Sequence, residues 1–255
     1  MARSKRTRFV VAGDTGTAMF AAAADRLDWK VAAAAGADAA EIKAETRAKV
    51  VDLDRVVDSI DADVAVVGTP PDRRLADAAR LIDRGVGVVL VPDGLAHGQA
   101  LPTASGRWVL GDPIPMAPAV QRWMQVVQAF GQVDRVWITT TPSRTISAAS
   151  LAVLVARIVR WPDPDRVEIQ VVDDALPRFE AQAAGPTDAA TLTLFPDSRV
   201  EHNGDDVSPP PMRHPADAFG ATDLLRRFAA DLAAGTTPIL GADFLRSAQA
   251  RQLNL

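Results

Sequence analysis

Over the first 115 residues, short apolar runs alternate with amphipathic stretches, and each run stops at a turn. Phe9–Ala12 stops at Gly13 and Val31–Ala35 at Gly36. Asp63–Gly68 stops at Thr69-Pro70-Pro71, and Gly87–Val91 at Pro92-Asp93-Gly94. An unbroken apolar run this short is buried on both faces, which suits a strand in a parallel sheet covered by helices. The stretches between supply those helices. Thr17–Leu27 is amphipathic, and Ala39–Arg47 sets Glu41, Lys43, Glu45 and Arg47 on its wet positions. Asp72–Arg84 gathers Leu75, Ala78, Ala79, Leu81 and Ile82 on one face. Asp52 is placed to cap a short helix through Ile60, its carboxylate accepting first-turn amides. The pattern predicts an α/β fold, a Rossmann-like doubly wound parallel sheet over residues 1–115.

The pattern then changes. Ala117–Phe130 reads as a helix, Val133–Thr141 as a strand, and Ser147–Trp161 as an unusually apolar helix. Val167–Val172, Arg178–Ala183 and Ala189–Phe195 read as strands with no helix between them. His202–His214, with Gly204 and Pro209-Pro210-Pro211, suits a surface loop. Asp217–Ala234 is expected as one long helix and Asp243–Arg251 as a last short one. Successive strands predict an α+β domain over 116–255 with an open, mainly antiparallel sheet.

Composition narrows the chemistry. A chain of 255 residues has room for two domains. A net charge of −4 argues against nucleic acid as a partner. The absence of cysteine excludes disulfides, thiolate metal sites and cysteine nucleophiles. There is no tyrosine, lysine stops at Lys49, and histidine occurs only as His97, His202 and His214. Three scattered histidines have no metal-ligand spacing, so no metal is expected. No apolar run reaches the roughly 20 residues of a membrane span, and the stretch after the basic N-terminus is too short for a signal peptide. A cytoplasmic protein without a membrane partner is expected.

The first strand–turn–helix reads Ala12-Gly13-Asp14-Thr15-Gly16-Thr17-Ala18. Free amides and the positive end of a helix make such a turn an anion site. The dinucleotide fingerprint G-x-G-x-x-G is met only in part. With Gly13 first, Thr15 and Ala18 take the other two places; with Gly16 second, Asp14 and Met19 take the outer two. The acid that would bind the adenosine ribose is Asp38 in one register, whereas Gly36 takes the place in another. Two readings stand: a site for NAD or NADP, or a purely structural turn.

Several segments, in order, resemble the glucose–fructose oxidoreductase, inositol dehydrogenase and MocA family. Asp61-Ala62-Asp63-Val64 through Gly68-Thr69-Pro70-Pro71 is similar to the family's Asp-Ala-Val, strand, Thr-Pro-Asn segment. Phe130-Gly131-Gln132-Val133 resembles the turn at the entry to the second domain, with Asp134 where that turn closes on glycine. Phe228–Pro238 resembles the closing helix and its Gly-x-x-Pro turn. The resemblance spans nearly the whole chain. It implies a Rossmann domain followed by an open-sheet substrate domain, cofactor contacts at Gly13, Thr15, Gly16, Asp38, Thr69 and Pro70, and pairing through the second sheet.

The family's chemistry-bearing residues are changed. Where members place Glu-Lys-Pro after the fourth long strand, this chain has Val91-Pro92-Asp93. Where they place an Asp, a His and an Asp on a helix ahead of a tryptophan, alignment on Trp161 gives Ser150, Leu154 and Arg157. These three line the implied substrate cleft. Oxidising an alcohol needs a proton acceptor worth roughly 10²–10⁴-fold, and neither Leu154 nor Arg157 is one. The remaining candidates are His97, Asp93, His202, His214 and Asp173-Asp174, of which His97 and Asp93 fall nearest the implied cleft. Arg73-Arg74 reads as a solvated helix start or an anion clamp, and Arg157 with Arg160 as an anion site or an interface pair.

Three functions compete. The first is a catalytically degenerate family member, a noncatalytic subunit, small-molecule binder or scaffold. The second is an active NAD(P)-dependent oxidoreductase on a sugar or cyclitol with a relocated base. The third is a redeployed lyase, isomerase or hydrolase. The expected partner is a second copy, or an active homologue, on the face of the second sheet, which is expected to be apolar where no helix covers it.

Overall fold

The computed structural model describes residues 6–13, 16–93, 95, 101–102, 106–160, 167–195 and 197–252. It divides into two compact units, Met1–Asp112 with Ala221–Asp243, and Pro113–Gly220 with Phe244–Leu255. The first crossing falls close to residue 115, but a single cut there does not describe the chain, because 221–243 returns to the first unit.

The first unit is a six-stranded sheet in the order β3-β2-β1-β4-β5-β6. Its strands are β1 (Arg8–Gly13), β2 (Lys30–Ala35), β3 (Lys49–Val50), β4 (Val64–Gly68), β5 (Gly87–Leu90) and β6 (Trp108–Leu110). All neighbours pair in parallel. Phe9, Val10, Val11 and Ala12 are fully buried, as a two-sided cover requires. The helices are α1 (Ala18–Arg26), α2 (Ala39–Thr46), α3 (Leu53–Asp58) and α4 (Pro71–Asp83), the last opened by a proline that needs no amide partner there. Asp52 does precede α3, but its side chain makes no capping hydrogen bond. Helix α8 (Ala221–Ala234) packs on α1, and Leu232 lies so near Gly87 that a Cβ there would stand 2.4 Å from it. The Leu110 amide donates to the Leu240 carbonyl at 2.8 Å.

The second unit holds a sheet in the order β12-β11-β10-β9-β7-β8. Its strands are β7 (Arg135–Thr140), β8 (Val167–Val171), β9 (Phe179–Ala184), β10 (Ala189–Thr193), β11 (Arg199–His202) and β12 (Asp205–Asp206). Only β7 and β8 pair in parallel, joined by α6 (Thr145–Ile158). Helices α5 (Pro118–Gln128) and α6 share one core with Val136, Ile138, Phe179, Ala181, Leu192 and Val200. The opposite face differs from expectation. Its central rows carry Trp137, Gln182, Thr191 and Glu201, then Thr139, Glu180, Thr193 and Arg199. It is a polar face around one half-buried tryptophan.

Two further segments depart from the sequence reading. The loop expected from His202 contains a hairpin, since Asn203 (φ +52°) and Gly204 (φ +89°) form the two-residue turn between β11 and β12. The helix expected from Asp217 to Ala234 is broken into α7 (Pro215–Ala218) and α8. Gly220 separates them, and a Cβ there would stand 2.4 Å from the Ala117 nitrogen. The last helix, α9, runs Ala242–Gln252.

Candidate functional site

In the first sheet β2 and β3 lie on one side of β1, and β4, β5 and β6 on the other. The reversal of strand order opens a crevice at the carboxyl ends of β1 and β4, where doubly wound sheets take ligands. Gly13 ends β1 at φ +138°, and a Cβ would meet the Gly68 carbonyl carbon at 2.1 Å and the Thr69 nitrogen at 2.5 Å. Glycine is therefore imposed by the approach of β4. A Cβ on Gly16 would meet only Val91 Cγ1, at 3.6 Å, so the turn passes beside the end of β5.

Thr17 follows at the start of α1, and Thr69 follows β4; both are fully buried. Among the described residues the Oγ1 of each has no hydrogen-bond partner, and Thr17 does not cap its own helix. The Thr17 carbonyl accepts from the Phe20 and Ala21 amides, both at 3.1 Å. A buried hydroxyl without a partner costs about 1–3 kcal/mol, so two on adjoining turns mark a place arranged for something else. Asp38 stands half-buried just before α2 without capping it.

Arg74 lies at the same edge and is only 2% exposed. Its Nε donates to the Thr69 carbonyl at 2.7 Å and its Nη1 to the Val91 carbonyl at 2.9 Å. The same Nη1 donates to the Asp93 carbonyl. One guanidinium thus ties the turn after β4 to the turn after β5. Burial pulls it below the usual arginine value, against the pull of the Asp93 carboxylate. Arg73 instead bonds Asp77 at 2.8 Å and Asp54 at 2.6 Å. Neither arginine of the pair is a solvated helix start.

Asp93 is exposed in its turn, and Pro92 is half-buried. His97 and Thr15 lie outside the described residues, as do Asp14 and Trp161. The expected cofactor residues Gly13, Gly16, Thr69 and Pro70 do gather at one edge of the first unit. Ser150, Leu154 and Arg157 form one stripe of α6 in the second unit. Ser150 is fully buried with an unbonded Oγ, Leu154 is half-buried, and Arg157 lies 5.5 Å from the centroid of Phe244. His202 and His214 are not free surface side chains. His202 Nε2 is 3.2 Å from Asp188 and its ring stacks on Phe130, while His214 Nδ1 accepts from the Ala216 amide at 3.1 Å. Asp173 and Asp174 sit in an exposed turn, Asp174 3.6 Å from Arg178. Among the described residues no group of three or more His, Asp or Glu gathers to hold a metal, and no helix is long and apolar enough to cross a membrane.

Sequence reasoning missed Thr17, the carbonyl-binding role of Arg74, and Asp112, a carboxylate 2% exposed just after β6. Thr17 carried a usable signal, a hydroxyl residue directly after the glycine turn. A buried arginine gives none, because its carbonyl partners are invisible in a sequence.

No family model matches the chain, and no curated protein is significantly similar to it. Solved structures are similar over nearly its whole length. UDP-N-acetylglucosamine 3-dehydrogenase GnnA from Acidithiobacillus ferrooxidans superimposes with a TM-score of 0.71 at 14% identity, covering 99% of this chain and 97% of that one. GenD2 from gentamicin A biosynthesis, solved in complex with NAD, gives 0.71 at 13% identity, covering 99% and 94%. KijD10, a 3-ketoreductase from Actinomadura kijaniata solved with NADP and TDP-benzene, gives 0.70 at 15%, covering 96% of each chain. The likeness is one of fold: a parallel-sheet unit and a second, mainly antiparallel one, the architecture of two-domain dehydrogenases. Within that class the fold is the one built by the glucose–fructose oxidoreductase, inositol dehydrogenase and MocA type of dehydrogenase.

Proposed function

We propose that the chain binds a nicotinamide dinucleotide on its first unit and does not, by itself, turn over a sugar or cyclitol. It would serve as a noncatalytic or partner subunit with an oxidoreductase fold. The observation that carries the binding half is the pair of buried, unbonded hydroxyls, Thr17 and Thr69, beside the Gly13–Gly16 turn. The residues fit the group. The opening amides of α1 would take the pyrophosphate, and the two hydroxyls would donate to it or to the adjoining ribose. Asp38 would accept from the adenosine ribose hydroxyls, and its charge disfavours a 2′-phosphate, so NAD is preferred to NADP. Once bound, the nicotinamide supplies hydride transfer.

What the chain lacks is a proton carrier at the positions the resemblance assigns. Pro92 and Leu154 move no proton, and the Arg157 guanidinium stays charged. A dehydrogenase screen over polyols and sugars with both cofactors, read by reduced-cofactor absorbance, tests this. No turnover with saturable dinucleotide binding is expected. Turnover at ordinary enzyme rates of about 1–10³ s⁻¹ would overturn it. Loss of that turnover in His97→Ala or Asp93→Ala would then identify a relocated base.

The partner we propose is a second copy on the open face of the second sheet. The support is Trp137, half-buried at the centre of a face that otherwise carries Gln182, threonines and arginine–glutamate pairs such as Arg199–Glu201 at 2.8 Å. Half-exposed tryptophan amid paired polar groups is the composition of an interface centre rather than of a bare apolar patch.

A further inference from the structure

Arg74 does more than staple two turns. Its guanidinium is buried, and among the described residues it donates to the main-chain carbonyls of Thr69, Val91 and Asp93. Among the described residues, no carboxylate hydrogen-bonds to it. Asp77, nearly a turn further along α4, is claimed by Arg73 at 2.8 Å and Arg80 at 3.5 Å. The Asp93 carboxylate opposes that charge, and its exposure to water weakens the opposition without removing it. A buried positive charge therefore sits under the carboxyl ends of β4 and β5, bonded to main-chain carbonyls and opposed in part by the Asp93 carboxylate. In a doubly wound sheet that binds a dinucleotide across its switch point, the two nucleotide halves lie on opposite sides of that point. Asp38, after β2, marks the adenosine half, so the β4–β5 side receives the nicotinamide.

We propose that Arg74 makes this site select the redox state of its ligand, holding the neutral reduced nicotinamide in preference to the cationic oxidised one. The inference rests on the dinucleotide-binding reading above. The two ring forms differ by one positive charge at nearly constant shape, so a fixed cation nearby separates their affinities directly. Two like charges about 10 Å apart at an effective dielectric of about 20 repel enough to separate affinities by roughly tenfold. A chain that holds NADH and lacks a proton carrier reads the reduced fraction of the nicotinamide pool rather than consuming it.

The test is the ratio of dissociation constants for NAD and NADH, measured on the full chain by calorimetry. NADH is expected to bind on the order of tenfold more tightly. Arg74→Met should bring the ratio to within about threefold of unity, while Arg74→Lys, which keeps the charge, should retain most of it. Asp93→Asn leaves the carbonyl staple in place and removes the opposing charge, so it should widen the preference. That variant keeps the test open if Arg74→Met fails to fold. A ratio near one in the wild type, or one that Asp93→Asn and Arg74→Met leave unmoved, overturns the inference while leaving dinucleotide binding intact. Failure of both NAD and NADH to bind overturns the binding reading beneath it.

Discussion

A buried threonine hydroxyl with no partner is a liability in the empty protein and an asset in the loaded one, so Thr17 and Thr69 can be tested by separating those two quantities. Thr17→Val and Thr69→Val should each raise the urea-unfolding stability of the ligand-free chain, or leave it unchanged, by up to about 1 kcal/mol. Each should also weaken NADH binding in calorimetry. A fall in ligand-free stability with unchanged affinity would make the hydroxyls structural. Gly13 behaves oppositely. A Cβ there meets β4 backbone at 2.1–2.5 Å, and a backbone collision cannot be relieved by rotating a side chain. Gly13→Ala should cost about 3 kcal/mol or more in the same unfolding experiment, whereas Gly16→Ala should cost about 1–2 kcal/mol, the conformational penalty alone. Sequence reasoning reached Gly13 as a fingerprint residue. It could not see that the glycine is demanded by Gly68, because that contact joins residues 55 positions apart.

Among the elements, the long strands and helices were legible because burial writes itself into sequence as uninterrupted or periodic apolar residues. β1, β2, β4 and β5 carry such runs, and the helices α4 and α5 a clear amphipathic period. The elements that escaped were those whose formation depends on a neighbour. β3 is two exposed residues held by β2, and β6 is three residues held by β5. The hairpin of β11 and β12 was announced only by Asn203-Gly204, a turn pair that looks like loop when its strands are short and charged. The break between α7 and α8 came from Gly220, squeezed against Met116 and Ala117. Gly220→Ala should therefore destabilise the chain by several kcal/mol, about 3 or more, seen as a lowered urea midpoint. At the β10–β11 edge, Asp188 lies below the usual carboxylate value through hydrogen bonds from Thr187 first and then His202. A lowered folded value stabilises above the unfolded value, and that stability is lost as pH falls through the folded one. Asp188→Asn should accordingly destabilise near neutrality, and the two proteins should converge in strong acid.

For the whole molecule, alternation in the first half and successive strands in the second were enough to predict both sheets. They could not predict that 221–243 rejoins the first unit, since composition carries no record of which core a helix covers. The open face of the second sheet was expected to be apolar and is polar around Trp137, so the pairing proposed there would rest on one aromatic anchor and complementary charges. Wild-type chain at micromolar concentration should run as a dimer by light scattering, and Trp137→Glu as a monomer with an unchanged far-ultraviolet spectrum. A wild-type monomer would contradict the pairing. The account depends most on the fit between the edge of the first sheet and a nicotinamide dinucleotide. Calorimetric titration of the full chain with NADH tests it most directly. The prediction is saturable binding at one site per chain, weakened by Thr69→Val and by Asp38→Ser, with no release of heat from turnover when keto sugars are added to the NADH-loaded chain or polyols to the chain saturated with NAD. Absence of binding at millimolar NADH, or binding indifferent to both substitutions, would contradict it.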